Sequence, residues 1–214
     1  MHTLSGKCRS FILSAAAAGF WGIFLLSGQT DGFISLSPKR DVTEHWIVEG
    51  TPPETWSVRD GVILCAGKPN GFLRSKKTYK NFIFRAEWRF RKEGWTAAPP
   101  EYPNAGFFIH AREIQDRWPV SLEVQGHYGE AGSLFGVRGG KITGARRGPF
   151  VQDRVPFGEW DRYEITSKDG RVTVVLNGKL VNEGWDAFPG EGSICLQSEG
   201  WEVHYRNLEV RELP

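Results

Sequence analysis

Hydrophobic and polar residues alternate along many short stretches of this chain. Residues 81–91, for example, place Phe, Phe, Ala, Trp and Phe at every second position, with mostly Arg and Glu between them. Because successive side chains of a strand point to opposite faces, this pattern predicts β-strands with one apolar face. After residue 30 there is almost no helical periodicity. The predicted strands are 45–48, 56–59, 62–66, 71–75, 81–91, 105–111, 119–127, 132–137, 160–168, 171–176, 179–182, 192–198 and 202–211.

Tight turns separate several of these strands. Asp60-Gly61, Asp169-Gly170 and Asn177-Gly178 are typical two-residue hairpin turns. Many short strands joined in this way predict an all-β fold, a β-sandwich or jelly roll of two antiparallel sheets. Residues 92–103 and 138–159 interrupt the pattern, and loops of this length often carry function.

The first residues have the character of a targeting segment. Lys7 and Arg9 precede an almost wholly apolar run over 11–26, and small residues follow it. This predicts a signal peptide over 1–28 and export to the periplasm or the extracellular space, and the alternative is an uncleaved membrane anchor. Residues 29–40 are predicted to be a linker or a first irregular strand. Residues 41–214 form the one predicted domain.

The charge balance excludes some partners. The chain has 27 Lys and Arg against 25 Asp and Glu, and removal of residues 1–28 takes away two basic residues and no acid. The remaining chain is neutral, so we expect no nucleic-acid partner and membrane contact only through an uncleaved 1–28.

Two cysteines remain after export, Cys65 and Cys195. An exported protein can pair them in a disulfide, whereas cysteines within strands are often small buried side chains. The sequence leaves both alternatives open.

A row of polar side chains follows one face of residues 119–127. Glu123, Gln125 and His127 alternate with apolar residues, so they point the same way at intervals of about 7 Å. Trp118 and Tyr128 flank the row. This combination favours a surface that holds a polar ligand.

Three further strands carry comparable polar rows. If all four rows share the concave face of a jelly roll, they form a groove for sugar hydroxyls, with carboxylates and imidazoles for proton transfer. The alternative is structural: alternating Arg and Glu form cross-strand ion pairs, and a single His is more often a structural group. The candidate substrate-binding residues are Arg85, Glu87, Arg89, Asn104, His110, Gln125, Gln197 and Glu199.

Several well-known motifs are absent from the sequence. It has no HExxH, Walker, GxSxG or paired CxxC motif, and no closely spaced ExDxxE strand like that of laminarinase-type glycosidases. This disfavours ordinary glycoside hydrolysis by two carboxylates. His110, His127 and a Glu could form a metal site, but their spacing does not define one.

A set of ordered motifs between about residues 45 and 212 resembles the 3-keto-disaccharide hydrolase family. The motifs include Gly67-Lys68-Pro69-Asn70-Gly71-Phe72-Leu73-Arg74-Ser75, Arg85-Ala86-Glu87-Trp88-Arg89, Leu122-Glu123-Val124-Gln125, Gly158-Glu159-Trp160-Asp161-Arg162-Tyr163 and Gly192-Ser193-Ile194-Cys195-Leu196-Gln197-Ser198-Glu199-Gly200. The resemblance implies a concanavalin-like jelly roll that acts on sugars oxidised at C3. The chain departs from the family at Ala105, where many members have Ser.

The chemistry that this resemblance implies begins at C2 of the sugar. A C3 ketone acidifies the C2 hydrogen, so a base removes it and the group at C1 leaves by elimination, with or without later addition of water. Glu123 and His127 are the candidates for the proton steps. Arg85, Arg89 or a bound divalent cation would stabilise the enolate.

The other candidates would bind substrate. Asn104, Gln125 and Gln197 would hold hydroxyl groups, and Glu87 would be a second carboxylate or a metal ligand. The sequence thus predicts an exported enzyme that cleaves 3-keto-glycosides as a hydrolase or lyase. The alternatives are a non-catalytic carbohydrate-binding module and an adhesion protein of the same fold.

Overall fold

The protein is described from a computed structural model over residues 31–93, 103–148 and 153–214. The predicted signal segment 1–28 and most of the loop 92–103 lie outside the described residues. The strands are β1 Ile34–Ser35, β2 Trp46–Glu49, β3 Trp56–Arg59, β4 Val62–Cys65, β5 Gly71–Tyr79, β6 Phe82–Phe90, β7 Gly106–Ala111, β8 Ile114–Gln115, β9 Trp118–Pro119, β10 Ser121–Gln125, β11 Leu134–Val137, β12 Lys141–Thr143, β13 Asp161–Lys168, β14 Arg171–Leu176, β15 Lys179–Phe188, β16 Gly192–Ser198 and β17 Val203–Glu212.

These strands form two antiparallel sheets that pack face to face. The larger sheet has the order β12-β15-β14-β13-β6-β17-β4-β3, with β1 paired to β17, and the smaller has the order β11-β10-β7-β16-β5-β2. Strands β8 and β9 form a separate hairpin. Two short 3-10 turns, Val42–Glu44 and Pro53–Thr55, flank β2. The predicted all-β sandwich of two antiparallel sheets is confirmed.

The predicted strands all correspond to observed ones, with shifted ends. The hairpin turn at Asn177-Gly178 has φ values of 51° and 85°, as a type I′ turn requires. The predictions missed β1, β8, β9 and β12, which are too short to show alternation. Residues 29–40 were predicted to be a linker or a first irregular strand. The described part of this range contains a short strand, because Ile34–Ser35 pair with β17.

Aromatic side chains fill the space between the sheets. Phe107 of the smaller sheet makes edge contacts with Trp88, Tyr163 and Tyr205 of the larger one, with ring centroids 5.5 to 5.7 Å apart. Trp88 also stacks on Tyr163 at 4.2 Å. Such pairs add to the free energy of burying the rings, so they fix how the two sheets sit on each other.

The two cysteines of the domain are unpaired and buried. Cys65 lies in the larger sheet and Cys195 in the smaller one. Burial raises the pKa of the Cys65 thiol to about 11, which keeps it protonated and unreactive. In the parts of the chain that the structure describes, no helix is long and apolar enough to cross a membrane.

Candidate functional site

The outer face of the six-stranded sheet carries the predicted polar row. Leu122 and Val124 of β10 belong to the core between the sheets. Glu123 and Gln125 therefore point to the opposite side, away from the larger sheet. We call this surface, with Phe108 and Gln197 of neighbouring strands, the site face.

Strand register brings Gln197 to the same place. On one side of β7, Gln125 of β10 is paired with Gly106. On the other side, Leu196 of β16 is paired with Phe107, so the next residue, Gln197, lies beside Gly106. A Cβ atom on residue 106 would lie 2.7 Å from Oε1 of Gln197. Glycine at 106 thus leaves room for the Gln197 amide to lie across β7, next to Glu123.

Glu123 is a buried carboxylate with an altered acidity. Its side chain accepts a hydrogen bond from Gln197, and the residue is only 7% exposed. Burial raises the pKa of Glu123 to about 7, and the negative charge of Glu199 acts in the same direction. A carboxyl group with a pKa near neutrality can accept and return a proton at physiological pH.

Glu199 and Asn104 complete the polar group on this face. Residue 104 forms β-bridges to residues 199 and 200, next to the end of β16. Burial raises the pKa of Glu199 as well. Within the described residues, Oδ1 of Asn104 and Oε1 of Gln197 are buried without a hydrogen-bond partner. Buried acceptors are nearly always satisfied, so these two oxygens are suited to accept hydrogen bonds from a ligand.

Arg147 brings a positive charge to the site face, and sequence reasoning missed it. Its guanidinium lies 3.6 Å from the ring centre of Phe135, which is paired directly opposite Glu123. Its Nη1 atom is also 3.6 Å from Oε2 of Glu130. The Arg147 charge lowers the pKa of Glu123, against the larger effect of burial. Arg147 lies in an irregular segment, where no periodicity signals which way a side chain points.

His127 lies beyond the end of β10 rather than in the straight row that the sequence predicts. The strand ends at Gln125, whose Oε1 accepts a hydrogen bond from the backbone of residue 127 at 2.8 Å. Nδ1 of His127 accepts from the Gly129 backbone at 3.1 Å. Burial lowers the pKa of His127, the Glu130 charge opposes that shift, and Arg154 adds to it. The imidazole therefore lies within a turn near Glu130, and the lowered pKa favours its neutral form.

The larger sheet holds the loops of the site in place through the core. The Tyr163 hydroxyl donates to the Gln125 carbonyl at 2.5 Å and accepts from the Gly132 backbone at 2.5 Å. Asn182 donates to the Gly132 carbonyl at 2.8 Å and to the Arg146 carbonyl at 2.6 Å. These bonds fix both ends of the turn that carries Glu130, and also the backbone next to Arg147.

A buried ion pair holds the His127 turn. Arg154 and Asp161 are almost wholly buried and joined at 2.5 Å, with a second bond at 2.8 Å. Arg154 also donates to the Tyr128 carbonyl at 3.0 Å and lies over its ring. Loss of either charged partner would leave the other buried and uncompensated, so this pair is a rigid support for the turn.

Three of the predicted substrate-binding residues lie on the opposite side of the molecule. Arg85, Glu87 and Arg89 belong to β6, at the centre of the larger sheet, and point away from the core. Arg85 pairs with Glu164 at 2.7 Å, and Arg206 donates to Glu87 at 2.7 Å. The prediction that these residues line the same groove as Glu123 is wrong. The alternative of cross-strand ion pairs holds for Arg85 and Glu87, whereas Arg89 lies 4.6 Å from the ring centre of Trp160.

His110 is also misplaced by the sequence pattern. Strand alternation puts it on the face of Phe108, but it has a φ of +54° and lies in a bulge where β7 has one more residue than β16. The extra residue turns the imidazole inward, so that Nε2 lies 2.8 Å from the Ser167 hydroxyl of the other sheet. Burial lowers its pKa to about 4. His110 is a neutral core group, away from the site face.

The structure brings together the other predicted residues, namely Asn104, Glu123, Gln125, Gln197 and Glu199. Within residues 31–93, 103–148 and 153–214, no group of three or more His, Cys, Asp or Glu side chains is arranged to hold a metal ion. The chemistry of the site is that of two carboxyl groups with raised pKa values, amide oxygens and a guanidinium. It can move protons and hold hydroxyl groups.

Fold and site together define a jelly-roll domain of the class formed by glycosyl hydrolase-like and carbohydrate-binding domains. The chain belongs to the family described as 3-keto-alpha-glucoside-1,2-lyase-like, whose model matches residues 32–211. No curated protein sequence matches it significantly.

Solved structures share the fold at low sequence identity. A candidate glycosyl hydrolase from Parabacteroides distasonis is 24% identical with a TM-score of 0.64, covering 86% of this chain and 95% of that one. The carbohydrate-binding module CBM66 from Bacillus subtilis is 12% identical with a TM-score of 0.58, covering 78% and 96%. The Bacillus licheniformis β-glucanase is 10% identical with a TM-score of 0.55, covering 87% and 100%.

Proposed function

We propose that the protein cleaves 3-keto-glycosides by elimination between C1 and C2, and that Glu123 is the base. The single observation that carries this proposal is the buried Glu123 carboxylate, with a pKa of about 7, on the polar face of a family member. An ordinary surface glutamate is too weak a base to remove a carbon-bound proton, whereas a desolvated one is stronger.

The ionised Glu123 carboxylate takes the C2 proton, which the C3 ketone has made acidic. The electron pair left on C2 forms the C1–C2 double bond, and the bond from C1 to the glycosidic oxygen breaks. The departing oxygen takes up a proton, and we assign its delivery to the Glu199 carboxyl, because burial raises the pKa of that group and so favours its protonated form. The products are an unsaturated 3-keto sugar and a free alcohol, and addition of water to the former gives the hydrolytic product.

Arg147 takes the role that the sequence gave to Arg85 and Arg89. Its guanidinium is the cation on the site face whose charge acts on Glu123. A fixed positive charge there stabilises the enolate oxygen as charge develops on it. Gln197 and Asn104 supply acceptors for the sugar hydroxyls, since each has a buried oxygen without a partner.

The test is release of the leaving group from a 3-keto-glucoside by wild type and by Glu123→Gln. We expect the variant to lose about 10²- to 10⁴-fold in kcat/KM, the usual contribution of a general base. Glu87→Gln is the matched control, because it makes the same chemical change on the opposite sheet face. Equal activity of Glu123→Gln and wild type would refute the assignment.

A non-catalytic carbohydrate-binding module is the second candidate, which the likeness in fold to CBM66 supports. It predicts that wild type binds plain glycans with an affinity that Glu123→Gln leaves intact, and that no 3-keto substrate is cleaved. Calorimetry alongside the activity assay separates the two functions.

We also propose that the protein is exported, with residues 1–28 as its signal peptide. The support is the basic start and apolar run of the sequence. Amino-terminal sequencing of the protein recovered outside the cytoplasm tests this, and an intact residue 1 in a membrane fraction would favour the uncleaved anchor.

A further inference from the structure

The β8–β9 hairpin folds over the site face and places Trp118 there. Its ring centroid lies 5.5 Å from that of Phe108 and 6.2 Å from that of Phe72. Both partners belong to the small hydrophobic cluster on the outside of the six-stranded sheet. Trp118 is thus fixed on one side, yet it remains partly exposed.

Trp118 lies close to Glu123. Phe108 is paired directly opposite Glu123, a relation that separates Cβ atoms by about 5 Å. The Trp118 ring lies one ring contact beyond Phe108. The indole therefore lies on the same face of the sheet as the proposed base, with one aromatic side chain, Phe108, in contact with it next to Glu123.

The same indole lines an open depression of about 390 Å³ together with Asp116, Arg117 and Arg138. This volume falls in the lower part of the range for small-molecule sites, about 300–1,000 Å³. Arg138 is oriented by Asp116, whose Oδ2 is 3.5 Å from Nη1. The depression thus combines a flat apolar wall with guanidinium donors.

We propose that Trp118 and this depression bind the leaving group of the substrate, and that this group is a ring with a flat apolar face and oxygen substituents. The inference rests on the proposed function, because it assigns the unit attached to C1 to the space beside the base. An aromatic face favours stacking with such a ring, and guanidinium groups donate to its oxygens. A second sugar and a phenol both have this chemistry.

The experiment compares three 3-keto-glucosides whose leaving groups are methanol, a second glucose and a nitrophenol. We expect Trp118→Ala to reduce kcat/KM about tenfold more for one or both ring substrates than for the methyl glycoside, which corresponds to the usual strength of an aromatic contact. Trp118→Phe should restore most of the loss. Trp185→Ala, which removes an exposed indole of the larger sheet, is the matched control and should leave the ratios unchanged.

The ring substrate that shows the larger loss identifies the source, sugar or phenol. Equal losses on all three substrates would overturn the inference, since Trp118 would then only support the sheet, and so would the absence of any loss. Wild type that cleaves none of the substrates would contradict the proposed function instead. In that case calorimetry measures the affinities of wild type and Trp118→Ala for the same three compounds. The inference holds if the variant loses more affinity for a ring compound than for the methyl glycoside, and it is overturned otherwise.

Discussion

At the scale of single residues, the protonation of Glu123 links catalysis to pH. Its pKa is raised to about 7 mainly by burial, so the base form is a minor species in acid and predominates in alkali. We expect kcat/KM on a 3-keto-glucoside to rise about tenfold per pH unit below this value and to level off above it. A pH–rate profile with no inflection near neutrality would contradict the assignment of the base.

Two buried groups should also make stability depend on pH, with opposite signs. Between pH 4.5, the usual pKa of a glutamate, and about pH 7, Glu123 is protonated in the folded state and ionised in the unfolded state. The unfolding free energy therefore falls as pH rises through this interval. His110 is the reverse: its pKa is lowered from 6.5 to about 4, so stability falls as pH drops through that interval. Each shift corresponds to about 3 kcal/mol.

Urea unfolding between about pH 4 and 8 separates the two effects. Because the two intervals overlap and the signs are opposite, the two effects largely cancel in wild type. In Glu123→Gln only the His110 effect is left, so stability should fall as pH drops from about 6.5 to about 4. In the double variant with His110→Gln most of both should disappear. If Glu123→Gln kept its full stability down to about pH 4, the assignment of His110 as a buried neutral group would be wrong.

The sequence was informative for some of these residues and not for others, for physical reasons. Glu123 and Gln125 could be placed on one face because alternation holds along an unbroken strand. His110 could not, since one bulge residue with a positive φ reverses the face. Arg147 could not either, because it lies in an irregular segment and its position depends on contacts with Phe135 and Glu130.

At the scale of elements, the turn after β10 depends on a hydroxyl from the other sheet. Tyr163→Phe removes the group that joins the Gln125 carbonyl to the Gly132 backbone. We expect the variant to lose about 0.5–1.5 kcal/mol of unfolding free energy, because the hydrogen bonds of the hydroxyl are lost while the Gly132 backbone still donates to the Gln125 carbonyl at 3.0 Å. Its kcat/KM should also fall, since the turn positions Glu130 and His127.

Tyr79→Phe is the control for this prediction, as Tyr79 lies at the far end of β5. Denaturant unfolding and steady-state kinetics are measured on both variants. A Tyr163→Phe protein that is less stable but fully active would show that the hydroxyl supports the core without positioning the site.

The longer strands were predictable because each alternates over four or more residues, whereas the two-residue strands β8 and β9 carry no such signal. Their hairpin is held by the packing of Trp118 on Phe72 and Phe108, which are distant in sequence. An element of this kind depends on tertiary contacts, so it appears only once the sheet is assembled.

At the scale of the whole molecule, the two outer faces of the sandwich have different roles. Arg85 pairs with Glu164 and Glu209 on the face of the larger sheet opposite the site. We expect Arg85→Ala to leave kcat/KM within about twofold of wild type and to cost about 1 kcal/mol or less, as partly exposed ion pairs contribute little. Steady-state kinetics and urea unfolding check both parts. A large loss of activity at unchanged stability would place a functional site on this face.

Sequence pattern cannot assign these roles by itself. Alternation shows that β6 and β10 each have a polar face, but it does not show that they belong to different sheets with those faces turned in opposite directions. That depends on the order of strands, with β6 between β13 and β17 and β10 between β11 and β7. This order is set by pairing between strands that are distant in sequence, and the alternation within a single strand does not show it.

The central claim is that Glu123 removes the C2 proton of a 3-keto sugar. The most direct measurement is proton NMR of a 3-keto-glucoside in D2O with wild type and with Glu123→Gln. We expect wild type to cause loss of the C2 hydrogen signal and release of the leaving group, and Glu123→Gln, though folded, to cause neither. Retention of the C2 hydrogen while wild type releases the leaving group, or equal rates for the two proteins, would contradict it.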